Sequence, residues 1–148
     1  MMNKADIKSA VLEQLQRATA DLKQQMQVLI EDAANESKSS AGDKHETARA
    51  HMHLEQEKLG QSLRILEQQL SIATQLDEAK HDRISPGSLI QTDSGYFYLS
   101  VANVIVLHQG HQVRCISAVS PLGKALLGIE VGMKIVVNQR ALTILNVL

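Results

Sequence analysis

From Lys4 to about Glu36 the chain carries no glycine or proline, and apolar side chains recur at Ile7, Val11, Leu15, Ala18, Leu22, Met26, Leu29 and Ala33. Steps of four, four and three residues repeat every eleven, which keeps one apolar stripe on one side of a nearly straight helix. A second helix is predicted from Glu46 to about Lys80, with Ala48, Met52, Leu59, Leu63, Leu66, Leu70 and Ala73 on one face and Gly60 as its weak point. Between the two, the small polar run Ser37-Lys38-Ser39-Ser40-Ala41-Gly42 lets the chain reverse. The pattern predicts an antiparallel helical hairpin (coiled coil) over residues 1–82, with its tip near residues 38–46. A helix of ~33 residues is ~50 Å long. A two-helix seam encloses no pocket, so such a rod acts at its tip or along its faces.

After Lys80 the period changes from that of a helix to that of strands. Residues 88–91 and 96–101 flank a turn at Thr92-Asp93-Ser94-Gly95, residues 104–107 and 113–117 flank His108-Gln109-Gly110-His111, and residues 135–137 and 142–147 make a last pair. One short helix interrupts them, with Ser120 as N-cap, Pro121 at the first helical position, Leu122, Ala125 and Leu126 inward, and Gly128 at the C-terminal end. Residues 83–148 therefore form a small α+β domain. At ~60 residues it is marginal as a fold by itself and calls for packing against the hairpin or a partner.

Composition sharpens this picture. The only aromatic residues are Tyr96, Phe97 and Tyr98, so residues 1–85 have no aromatic core. Residues 1–85 carry 11 Lys and Arg against 14 Asp and Glu, and residues 86–148 carry 4 against 2. Neither part has the concentrated basic surface that free duplex DNA requires. Cys115 is the only cysteine, which excludes an intramolecular disulfide. With no apolar leader and no run of 18 apolar residues, the expectation is no membrane segment and a cytoplasmic location.

The sharpest local feature is Gly42-Asp43-Lys44-His45-Glu46 at the hairpin end. If Asp43 starts the second helix, Asp43 and Glu46 lie on one side of its first turn, where both carboxylates reach one divalent cation or position one water. The same pair also reads as a capping box that satisfies free N–H groups. His45, His51 and His53 invite a metal reading, but His51 and His53 point to different sides of a helix and no cysteine is near; exposed helix surface accounts for them. Cys115 sits in strand alternation and reads as a buried apolar residue rather than a nucleophile. The glycines of residues 123–132 lack the order of a phosphate loop.

The run from Gly42 to Ala48, with His51 and Glu55, resembles the tip and second helix of the bacterial Gre transcript cleavage factors, in which an Asp-x-x-Glu pair ends a coiled coil. Residues 116–128, followed by Glu130 and Gly132, resemble that family's C-terminal domain at its Ser-Pro helix. The chain departs from the family at Lys44 (apolar there), Thr47 (Asn), Arg49 (an acid), Ala50 (an aromatic) and Met133 (Asp).

The resemblance implies an FKBP-like C-terminal domain that docks through Ser120, Pro121 and Leu122 at the rim of the RNA polymerase secondary channel. It implies also that Asp43 and Glu46 share a Mg²⁺ with the polymerase and stimulate cleavage of backtracked RNA at its nascent 3′ end. On that reading the chain is a factor acting on the polymerase's own chemistry, with no cofactor of its own. Two alternatives stand beside it: a polymerase-binding modulator that does not cleave, and a coiled-coil adaptor without chemistry. A prolyl isomerase is disfavoured, because on one strand Tyr96 and Tyr98 face one side and Phe97 the other.

Overall fold

In the computed structural model the backbone is described at residues 2–36 and 42–148, and side chains at residues 2–35 and 46–148. Two long helices, α1 (Lys4–Glu36) and α2 (Gly42–Gln75), form the helical hairpin. They precede β1 (Leu89–Thr92), β2 (Gly95–Ser100), β3 (Ile105–His108), β4 (His111–Ser117), α3 (Pro121–Leu126), β5 (Lys134–Val137) and β6 (Arg140–Val147). The chain divides into two compact units, Leu15–Leu70 and the combination of Met1–Gln14 with Ser71–Leu148.

Within the helical unit the apolar stripe is the sheltered one. Leu15 is buried, Ala18, Leu22, Met26, Leu29 and Ala33 are half-buried, and the residues between them are mostly exposed. On α2 the half-buried positions include Ala48, Met52, Leu59, Leu63, Leu66 and Leu70, as the periodicity requires, with Gln56 completing the seam between Met52 and Leu59. Leu29 and Leu59 line one shallow recess, as antiparallel helices joined near residue 42 must arrange them. Thr19, buried in the stripe, donates its hydroxyl proton to the Leu15 carbonyl one turn back, which satisfies it without a partner from outside the helix.

In the second unit the six strands form one mixed sheet in the order β3-β4-β2-β1-β6-β5. The β3–β4 and β5–β6 turns are two residues long, Gln109-Gly110 and Asn138-Gln139, and all four have positive φ, between 51° and 81°. That is the geometry whose twist matches the flanking strands. β4 pairs with β2 in parallel, Tyr98 beside Cys115, so the chain passes β3 to the outer edge before returning. One face packs Ile90, Leu99, Leu126, Ile135, Leu142, Ile144 and Val147 together, with Phe97 and Leu122 against them. Tyr98 and its cross-strand neighbours Leu89 and Cys115 are buried on the other face, so Tyr98 and Phe97 divide as strand alternation demands.

The ends of the helices complete this unit. Ile7, Val11, Ala73 and Leu76 are all buried, and Gln14 donates a side-chain N–H to the Ile105 carbonyl at 2.8 Å. A small α+β domain gains core surface in this way. The last turn of α2 contains no basic residue to complement its exposed carbonyls. Helix α1 supplies cations to the chain just beyond α2: Lys8 Nζ donates to the Leu76 carbonyl at 2.6 Å, and Lys4 Nζ donates to that of Ala79. Burial lowers the pKa of Lys4, opposed by the nearby charges of Asp77 and Glu78.

Burial also pushes the Tyr98 phenol up to about 12 and the Cys115 thiol up to about 11. The Tyr98 hydroxyl has no hydrogen-bond partner among the described residues, so its neutral form is retained because the ion cannot be solvated there. A folded pKa above the unfolded value near 10 means stability is complete below that pH and declines as pH rises toward 12. The loss from Tyr98 is about 3 kcal/mol at most. In Tyr96→Phe, which leaves Tyr98 as the only tyrosine, tyrosinate absorbance is expected to rise near pH 12 or together with unfolding. A transition near pH 10 in the folded protein would contradict this.

Candidate functional site

The Ser-Pro helix forms as its sequence predicts. Ser120 is the N-cap of α3: its hydroxyl accepts from the Gly123 N–H at 3.0 Å and donates to the Ser117 carbonyl at 2.6 Å. Pro121 occupies the first helical position, where its missing N–H costs nothing. Gly128 has φ +79° beyond the helix end, but its N–H donates to the Ile84 carbonyl at 2.7 Å and so ties α3 to the segment preceding the sheet. Close approach fixes Gly123 as glycine, since a Cβ there would lie 2.0 Å from the Ser117 carbonyl oxygen.

Half-buried Leu122 lines an open cleft of about 890 Å³ on the α3 side of the sheet. Phe97, Val137 and Leu142 provide its other apolar lining, and Arg114, Arg140 and His111 its cationic or titratable one. Sequence reasoning missed Arg114 and Arg140. They stand 26 positions apart on β4 and β6, and only the strand order brings them to one cleft.

At the other candidate site, Asp43 and Glu46 both fall inside α2, three residues apart. Glu46 is exposed; the side chain of Asp43, like residues 37–41 of the tip, lies outside the described residues. His51, His53 and Glu55 are exposed, and no group of three His, Cys, Asp or Glu side chains able to hold a metal occurs among the described residues. Cys115 is buried with a raised pKa, the opposite of an activated nucleophile.

A network in the polar link also escaped sequence reasoning, although the i,i+4 spacing of Asp77 and His81 was its signal. His81 Nε2 lies 2.8 Å from Asp77, while Nδ1 lies 2.7 Å from the Ser88 hydroxyl and 3.0 Å from that of Ser85. The hydrogen bond from His81 lowers the Asp77 pKa. An Asp-His-Ser set invites a hydrolytic reading, but Ser88 is fully buried and its oxygen accepts the Ser85 N–H, so no substrate reaches it. The network fastens the end of α2 to the first turn of the β-rich part.

Fold and candidate sites together define a two-helix hairpin followed by a small α+β domain with a Ser-Pro helix beside a cleft. No protein family matches the chain, and no curated protein does. Among solved structures it is similar to the transcription factor Gfh1, at 23% identity over 93% of each chain with a TM-score of 0.40. GreA factor homolog 1 (Gfh1) of Thermus thermophilus is 23% identical over 93% of this chain and 94% of that one, again with a TM-score of 0.40. Gfh1 of Thermus aquaticus is 19% identical over 94% of each chain, with a TM-score of 0.33. No helix among the described residues is long and apolar enough to cross a membrane.

Proposed function

We propose that this chain is a transcription factor that binds RNA polymerase at its secondary channel, docking by the α+β domain and presenting the hairpin tip to the nascent RNA 3′ end. The observation that carries the reading is the Ser-Pro helix: Ser120 and Pro121 are committed to capping α3, and Leu122, next in sequence, is left at a cleft. The two Gre-like segments, at residues 42–48 and 116–128, support it by falling on the second helix and on that helix-bearing domain in the family's order.

At the tip, Asp43 and Glu46 would offer oxygen donors of the kind Mg²⁺ prefers, with the polymerase completing the site, and so stimulate cleavage of backtracked RNA. Mg²⁺ there would supply charge stabilisation and an activated water. The chain's own residues would position it. One observation favours a non-cleaving modulator instead: Ala50, exposed on α2, replaces the aromatic residue of the Gre pattern.

The test is a pull-down of core RNA polymerase. Leu122→Asp is expected to reduce binding by at least about tenfold, since a carboxylate replaces an apolar contact, while the circular dichroism of α1 and α2 is unchanged. Equal binding by this variant would move the interface elsewhere, and no binding by the wild type would remove the reading.

A further inference from the structure

The lining of the cleft beside α3 combines carbon, from Phe97, Leu122, Val137 and Leu142, with the positive charge of Arg114 and Arg140. Arg83, elsewhere on the domain, is held by Glu130 at 2.8 Å, whereas Arg114 and Arg140 make no ion pair among the described residues. No carboxylate lines the cleft. Residues 86–148 carry 4 Lys and Arg against 2 Asp and Glu, so this excess stands on a part of the chain whose net charge is opposite to that of the hairpin.

The apolar surface continues past the cleft. On edge strand β3, Ile105 pairs with Arg114 and Leu107 with Gln112, which puts both apolar side chains on the cleft's face of the sheet. Leu107 is 73% exposed and Ile105 50%. A phosphate ligand would leave this surface and the floor unfilled, and two arginines are too few for a nucleic-acid backbone. A purely apolar ligand would leave both guanidinium groups facing carbon.

We infer that the cleft receives an acidic segment of a partner protein, seating one apolar side chain among Phe97, Leu122 and Leu142 while flanking carboxylates pair with Arg114 and Arg140. The inference deepens the docking reading, resting on Leu122 as a contact, by naming the chemistry of what docks. Arginine suits such a site because its planar fork accepts a carboxylate bidentately. The pairing selects the partner by charge and makes binding weaken with salt.

The experiment uses the full ¹⁵N-labelled chain and two designed probes, a helical peptide of leucines among glutamates and its twin with lysines in place of the glutamates. The acidic probe is expected to shift the amide signals of Phe97, Arg114, Leu122 and Arg140, and the lysine twin to leave them in place. Arg114→Glu/Arg140→Glu, with Arg114→Gln/Arg140→Gln as the milder version, is expected to bind the acidic probe at least about tenfold more weakly. Lys134→Glu, on the opposite face of β5, is expected to bind as wild type. Equal binding of both probes, shifts confined to other residues, or undiminished binding by a folded double variant would overturn the inference. So would a dimer that the double variant dissociates, since the occupant would then be a second copy. Polymerase pull-down separates the two claims. If the wild type misses polymerase but seats the acidic probe as expected, the docking reading falls alone; if the double variant keeps polymerase and the acidic probe finds no cleft, this inference falls alone.

Discussion

Gly123→Ala is expected to destabilise the α+β domain by about 3 kcal/mol or more, although alanine is ordinarily the better helix former. The added Cβ would lie 2.0 Å from the Ser117 carbonyl oxygen, 2.9 Å from its carbon and 3.0 Å from the Ala118 Cα. All three are backbone atoms, so no rotamer change relieves the overlap. Either α3 lifts away, breaking the hydrogen bonds that join Ser117, Ser120 and Gly123, or the turn before it deforms. Domains of this size hold only about 5–15 kcal/mol in total, so thermal unfolding should show a fall of many degrees. Gly60→Ala in α2 is the control. Its Cβ would meet nothing nearer than an Arg64 side-chain nitrogen at 3.6 Å, so that variant is expected to gain about 0.5–1 kcal/mol. Equal behaviour of the two variants would show that close approach is not what keeps Gly123.

The second large effect concerns rate rather than stability. Asp43→Asn is expected to lower Mg²⁺-dependent shortening of RNA in stalled, backtracked polymerase complexes by about a hundredfold or more, with polymerase binding unchanged. Each ~1.4 kcal/mol of lost transition-state stabilisation is tenfold in rate, and asparagine is a poor substitute for a carboxylate at Mg²⁺. Capping makes the contrary forecast. Losing a cap costs ~1 kcal/mol of stability, and asparagine caps about as well as aspartate, so a purely structural Asp43 would tolerate the change. If Asp43→Asn cleaves as well as wild type, the Asp43 carboxylate serves only the first turn of α2. If the wild type binds polymerase but shortens no RNA, the non-cleaving modulator replaces the cleavage reading.

The helical hairpin, the succession of strands and the α3 cap were legible because each rests on neighbours in sequence. The stripe from Leu15 to Ala33 is a matter of three- and four-residue spacing, and its members are the sheltered ones in the structure. Ser120 and Pro121 announce a helix start through bonds that span three residues. The division of Phe97 from Tyr98 follows from the two-residue repeat of a strand. Even the excess positive charge of residues 86–148 could be counted, though its concentration in a cleft could not.

What the sequence left undecided is everything that depends on which strand lies beside which. Two hairpins in succession could pair as a simple meander; instead β4 enters between β2 and β3, and this parallel pairing places Arg114 next to Phe97. The return of β6 beside β1 then brings Arg140 and Leu142 to the same cleft. Lys4 and Lys8 carry no sign in sequence of their partners, the Leu76 and Ala79 carbonyls just past α2, about seventy residues later. Gly123 is, in sequence, one glycine of a run without phosphate-loop order; only the fold brings Ser117 against it. Local spacing determines how each element turns its faces, because backbone geometry repeats within a few residues. Partners distant in sequence are selected only by burial of those faces against one another, and that selection belongs to the assembled tertiary structure.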